Sequence, residues 1–173
     1  MTDPSPFRRF AEWWADNEVP MVLATSGPAA RAVVLEQFDE RGFCFWTSSE
    51  SPTGEQLSRD PHAALVWLWD GRQARVEGRV ERVSDEENER YWAEREGKRQ
   101  LVAFQQSAPV ATRDELLALV EAAPDDPPRP AFWVGYRVIP ERFEFWIEDD
   151  DYVHDRFEYG PDGDGWTQRR LQP

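Results

Sequence analysis

The sequence predicts a mainly β protein with some α-helix: an antiparallel β-barrel, closed or split, with helices packed on its outside. Three observations lead there. Segments of strand character outnumber helical ones, short turn signals such as Asp70-Gly71 join neighbouring strands, and no β-helix-β alternation calls for a parallel sheet. The chain has 173 residues, 40% of them apolar and 13% aromatic. That is enough for one domain with a substantial core, expected to span 1–173.

The elements follow in order. Phe7, Phe10, Ala11 and Trp14 fall at i, i+3, i+4 and i+7, one stripe of a first helix within residues 1–20 that ends near Asn17. Residues 21–122 then carry the barrel strands and their helices. Met21–Thr25 and Arg31–Phe38 flank the turn Ser26-Gly27-Pro28, and Asp39–Gly42 turns the chain into Phe43–Thr47. Ser51 before Pro52 reads as an N-cap and first helical residue of a short helix through Leu57. Ala63–Trp69, apolar throughout, reads as a strand buried on both faces, and Asp70-Gly71 returns it into Arg72–Val83.

Ser84-x-x-Glu87 and Thr112-x-x-Glu115 are capping boxes, the first opening a helix towards Arg95 and the second one through Leu116, Leu117, Leu119 and Val120. Between them Arg99–Gln106 is a short helix or a loop, and the proline-rich Ala123–Pro130 is a loop. In the last region, 131–173, strands are expected at Trp133–Ile139, Arg142–Ile147, Tyr152–Tyr159 and Trp166–Leu171, with Asp149-Asp150-Asp151 as a solvated hairpin tip.

Charge and composition narrow the function. A net charge of −14 argues against nucleic acid and against an anionic membrane surface, both of which are bound through Lys and Arg. The longest apolar run, Ala63–Trp69, is too short to span a bilayer, and the N-terminus lacks a basic segment followed by an apolar one, so a cytoplasmic protein is expected. Cys44 stands alone and reads as a small core residue. His62 and His154 have no metal-ligand spacing, so no metal is expected. A Gly-rich phosphate loop and a Ser or Cys nucleophile motif are both missing.

One ordered series remains: Trp133-Val134-Gly135-Tyr136-Arg137-Val138, Pro140–Trp146, His154-Asp155-Arg156, Gly165-Trp166 and the terminal Arg170–Pro173. It resembles the C-terminal signature of the pyridoxamine 5′-phosphate oxidase family, FMN flavoproteins of split-barrel fold. The resemblance extends upstream. Arg31–Glu36 is similar to the family's Arg-x-Val-Leu-Leu-Lys strand, Trp46-Thr47 to its aromatic-Thr pair, Arg72–Gly78 to its Arg-Gln-Val-Arg-Val-Glu-Gly strand, and Gln106-Ser107 to its Gln-Ser contact. The resemblance implies a homodimer with FMN in a cleft between subunits. It implies two-electron oxidation of a small-molecule amine or alcohol by hydride transfer to flavin N5, with oxygen as acceptor.

By the same resemblance Arg31, Val33, Val34, Trp46, Thr47, Ser51, Thr53, Gln73, Gln106, Ser107, Trp146 and Arg156 are expected to hold the flavin. Glu36, Tyr91, Arg95, Arg99, Tyr152 and His154 are expected to face the substrate. Two departures stand out. Where the family has Ser-Arg-Lys closing on the FMN phosphate, this chain has Ser51-Pro52-Thr53. Where it has a Lys and an Arg for the B6 phosphate, this chain has Glu36 and Tyr152, while Arg99 replaces a Ser. Two other readings stay open: a flavin oxidase of a different, unphosphorylated biosynthetic substrate, and a non-catalytic binding protein on the same fold that has lost FMN.

Overall fold

The computed structural model describes residues 5–103, 109 and 112–173. Among these, nine antiparallel strands form one curled half-barrel sheet: β1 (Met21–Thr25), β2 (Ala29–Val33), β3 (Gln37–Asp39), β4 (Gly42–Ser48), β5 (His62–Trp69), β6 (Arg72–Arg82), β7 (Trp133–Ile147), β8 (Asp155–Asp162) and β9 (Gly165–Arg170). The main path runs β2-β1-β5-β6-β7-β4-β3, and β8 with β9 branches from β7. Helices α1 (Pro6–Asp16), α2 (Pro52–Arg59), α3 (Asp85–Glu94), α4 (Lys98–Ala103) and α5 (Arg113–Ala122) complete the chain.

The branch has a local cause. The expected strands Trp133–Ile139 and Arg142–Ile147 are one 15-residue strand, β7, with a register shift opposite Glu77 and Gly78. Pro140 sits at this bulge, where a missing N–H costs no ladder bond. Gly78 is required there, since a Cβ would stand 1.9 Å from the Ile139 carbonyl oxygen. Before the bulge one edge of β7 pairs with β4; after it the same edge pairs with β8. The sheet therefore splits.

Three other expectations are corrected. Arg31–Phe38 is two strands, because β2 pairs with β1 while β3 pairs with β4, and residues 34–36 carry the chain from one partner to the other. Strand β5 is not buried on both faces. Ala63, Leu65, Trp67 and Trp69 point into the core while Leu68 is 67% exposed, the alternation of an antiparallel sheet with one covered face. β8 starts at Asp155 rather than Tyr152, because Tyr152 holds a left-handed φ of 64° in the preceding turn.

Phe7, Phe10 and Trp13 of α1 plug the barrel against Phe43, Trp67, Trp69, Phe143 and Phe145. A second cluster of Cys44, Trp46, Val83, Trp92 and Trp133 lies under α3 on the opposite face of β4. Both capping boxes are present, at Ser84–Glu87 and Thr112–Glu115. No helix among the described residues is long and apolar enough to cross a membrane.

Candidate functional site

The expected site residues fall into three groups, each placed by a different part of the sheet.

The first is a row across one face. Leu68 of β5 pairs with Gln73 of β6, Gln73 with Trp146 of β7, and Trp146 with Arg156 of β8. Residues directly opposite in adjacent strands point to the same side, so Gln73, Trp146 and Arg156 form a line with the exposed Leu68 at its end. His154 sits beside the row, its ring 4.8 Å from that of Trp146. Its Nδ1 accepts from the Asp149 backbone N–H at 3.1 Å, which leaves the proton on Nε2. Two residues along each strand the same face carries Arg75, Glu144 and Glu158. Glu144, only 4% exposed, takes Arg75 at 3.2 Å and Arg156 at 3.0 Å. Glu158 is held by Arg142 and Arg169. This lattice fixes Arg156 against the sheet and leaves the Gln73 amide without a hydrogen-bond partner among the described residues.

The second group centres on Arg31. Its Nη1 donates to Thr25 Oγ1 at 2.8 Å and its Nη2 to Gln56 Oε1 at 2.7 Å. Gln56 lies one turn beyond Thr53 in α2, so Arg31 bridges β2 to the first half of that helix. All of its partners are neutral, and among the described residues no carboxylate pairs with it. Burial lowers its pKa from the ordinary value, the response of a cation removed from water without a counter-charge. Ser51 is already committed. Its Oγ donates to the Ser48 carbonyl at 2.7 Å and accepts from Gly54 N–H at 3.2 Å, as an N-cap does. Thr53 is half-buried in the first turn of α2, and Thr47 is half-buried on β4.

The third group lies beneath α3. Trp46 and Tyr91 stack with centroids 3.9 Å apart and planes 12° apart. Arg95 pairs with Glu36 at 3.3 Å, and Glu36 lines a cleft of about 600 Å³ that also touches Val34, Leu35, Cys44 and Arg137. Burial, with the nearby Glu36 charge, pushes the Tyr91 phenol well above its usual range. Its hydroxyl and the Arg95 Nε are buried without a well-formed hydrogen bond. Val33 is half-buried at the end of β2, and Val34 is exposed.

Two expected substrate residues are elsewhere. Arg99 caps the end of α5, donating to the carbonyls of Val120 and Glu121 at 2.9 Å and pairing with Asp125 at 3.0 Å. Tyr152 is 84% exposed in the turn before β8. Gln106 and Ser107 lie outside the described residues.

The structure also brings forward roles that sequence reasoning did not single out. Asn88 Oδ1 accepts from Trp46 Nε1 at 3.0 Å and from Gly135 N–H at 2.8 Å. Its signal was present: Asn88, Tyr91 and Trp92 share one face of α3, and a polar residue on an apolar stripe asks for a buried partner. Glu87, the third residue of the capping box, also takes Arg137 at 2.7 Å and Arg41 at 3.2 Å. Gln56 gave no signal, because its role depends on β2 and α2 meeting.

Comparison with known proteins settles the family. Residues 9–135 match the family model described as pyridoxamine 5′-phosphate oxidase. The chain belongs to the pyridoxamine 5′-phosphate oxidase family. Residues 133–173 match the pyridoxine 5′-phosphate oxidase C-terminal dimerisation region. The chain is 42% identical to a pyridoxine/pyridoxamine 5′-phosphate oxidase of Janthinobacterium sp. (strain Marseille), over 99% of this chain and 91% of that one. It is 44% identical to pyridoxine/pyridoxamine 5′-phosphate oxidase 1 of Ralstonia nicotianae, over 99% and 90%. Among solved structures it is similar to PhzG from Burkholderia lata 383, determined in complex with tetrahydrophenazine-1-carboxylic acid, with a TM-score of 0.90 and 27% identity over 99% of this chain and 94% of that one. A pyridoxamine 5′-phosphate oxidase-related, FMN-binding protein from Nostoc punctiforme shares the fold at a TM-score of 0.82 and 19% identity, over 99% and 100%.

Proposed function

We propose that this protein is an FMN-dependent oxidase that removes two electrons from a small amine or alcohol, working as a cytoplasmic homodimer of one-domain subunits. The observation that carries the reading is Arg31, a half-buried cation beside α2 with only neutral partners. A phosphate monoester supplies the missing counter-charge. Thr53, through its hydroxyl and its own backbone N–H in the first turn of α2, adds donors where the family's two cations are replaced. The Gln73–Trp146–Arg156 row fits a flat heteroaromatic ring, with an indole for contact, a free amide for its edge and a guanidinium held in place by Glu144.

When bound, FMN supplies the two-electron chemistry. The chain binds, orients and excludes water. Tyr91, still protonated through the neutral range, is a donor beside Trp46, and the Nε2 proton of His154 is available beside Trp146. The three groups share no hydrogen bond or ring contact among the described residues. A second copy, joined through the dimerisation region, is proposed to bring the sheet face of one subunit against the Arg31 and Tyr91 groups of the other.

The match to PhzG and the Glu36–Arg95 pair favour a second reading within the same chemistry: a flavin oxidase of an unphosphorylated biosynthetic intermediate. The test is to reconstitute the protein with FMN and mix it anaerobically with a panel of amines and alcohols, including both B6 phosphates. Bleaching of the visible flavin absorption by one or more of them, reversed by air, is expected. A protein that holds FMN but is bleached by none of the panel in full turnover buffer contradicts the oxidase assignment.

A further inference from the structure

We infer that the substrate end of this site is electrically neutral and selects a substrate that presents an uncharged hydrogen-bond acceptor in place of a phosphate; the inference rests on the oxidase reading above. Three observations converge. Glu36 and Arg95 pair at 3.3 Å, so the guanidinium beside Tyr91 already has its counter-ion. The next two cations along the chain are also taken: Lys98 by Asp126 at 2.9 Å and Arg99 by Asp125 at 3.0 Å, with Arg99 anchored further to the end of α5. Finally, the Arg95 Nε–H is a buried donor without an acceptor, and the Tyr91 hydroxyl, close to both Glu36 and Arg95, is buried without a well-formed hydrogen bond.

A dianion placed here meets a pair whose charges cancel, with the Glu36 carboxylate facing it, so its desolvation goes uncompensated. An alcohol, amide or carbonyl oxygen gives the buried Arg95 Nε–H an acceptor and brings no charge. Glu36 is thus a specificity-determining residue, acting by neutralising Arg95. Removing the carboxylate alone, with no cation added, should free Arg95 for a phosphate.

The experiment compares 4-deoxypyridoxine with its 5′-phosphate, two ligands that differ only in the phosphate, by anaerobic isothermal titration calorimetry against the wild type, Glu36→Gln, Glu36→Ala and the double variant Glu36→Gln/Arg95→Gln. Flavin content is read from visible absorption before each titration. It reports on the cofactor separately, and the variants are compared whatever it shows. Melting curves confirm folding.

The wild type is expected to bind the phosphorylated ligand no tighter than the free one. Either single variant should raise the preference for phosphate by about ten- to a hundredfold, the worth of one released charge-assisted hydrogen bond, and the double variant should abolish that gain. A wild type that favours the phosphate by about tenfold or more overturns the inference. So do single variants with an unchanged preference, including the case in which neither ligand binds any form.

Discussion

Replacing Asn88 by Leu tests the joint between α3 and the barrel. The Asn88 side chain is 2% exposed and its Oδ1 serves two donors, the Trp46 indole N–H at 3.0 Å and the Gly135 backbone N–H at 2.8 Å. Leucine has the same number and branching of side-chain heavy atoms in a bulkier form, so the site stays closed to water and both donors lose their acceptor. A buried donor left unsatisfied costs about 1–3 kcal/mol, so the pair should cost about 2–6 kcal/mol. That is a large share of the roughly 5–15 kcal/mol that holds a domain folded. The assay is urea denaturation at fixed protein concentration, since subunit association enters the apparent stability. The expected result is a lower midpoint at nearly unchanged slope, together with a weakened near-UV signal from the Trp46–Tyr91 stack. A loss below about 1 kcal/mol, with that signal intact, would refute the claim that Asn88 fastens the helix bearing Tyr91 and Arg95.

Two further outcomes follow from the same region. Burial acts to raise the Glu87 carboxyl pKa, but the hydrogen bonds from Arg137 and from the Ser84 N–H, with the charges of Arg137 and Arg41, outweigh it and hold the group below its ordinary value. The folded protein therefore releases this proton more readily than the unfolded chain. The stability it contributes is present above the unfolded carboxylate pKa of about 4.3 and is lost as pH falls through the lower folded value. Glu87→Gln should flatten that acid-side decline in a series of melts between about pH 6 and pH 3; an unchanged slope contradicts the assignment. Gly135→Ala should destabilise by about 1–3 kcal/mol, because its Cβ would stand 2.6 Å from Trp46 Cε2 and 2.7 Å from both Trp46 Nε1 and Val83 Cγ2. Wild-type stability in that variant would show that the indole can move aside.

Local chemistry made much of the fold legible. The capping boxes at Ser84 and Thr112, the N-cap at Ser51 and the turn at Gly71, with its positive φ of 66°, depend on a few adjacent residues. The α1 stripe was readable for the same reason, although it left out Trp13, which is buried against Trp69 and Phe145. What was misread depends on partners far along the chain. Nothing between Arg31 and Phe38 announces that β2 and β3 pair with different strands, and Pro140 marks a bulge only once Gly78 lies opposite it. The apolar run Ala63–Trp69 hides its alternation because its solvent face carries Ala64, Val66 and Leu68.

The candidate site shows the same division. The ordered motifs named its candidate residues, but not two of their commitments: Arg99 to the end of α5 and Glu36 to Arg95. These are contacts between segments, and sequence spacing does not encode them.

The central claim is that this chain holds FMN and that Arg31 meets its phosphate. Titrating wild type and Arg31→Gln with FMN and with riboflavin, followed by flavin fluorescence quenching, tests it most directly. The wild type is expected to prefer FMN. The variant should lose about ten- to a hundredfold in FMN affinity, the worth of one charge-assisted contact, while its riboflavin affinity barely changes. A wild type that quenches neither flavin, or a variant that binds both as the wild type does, contradicts the account.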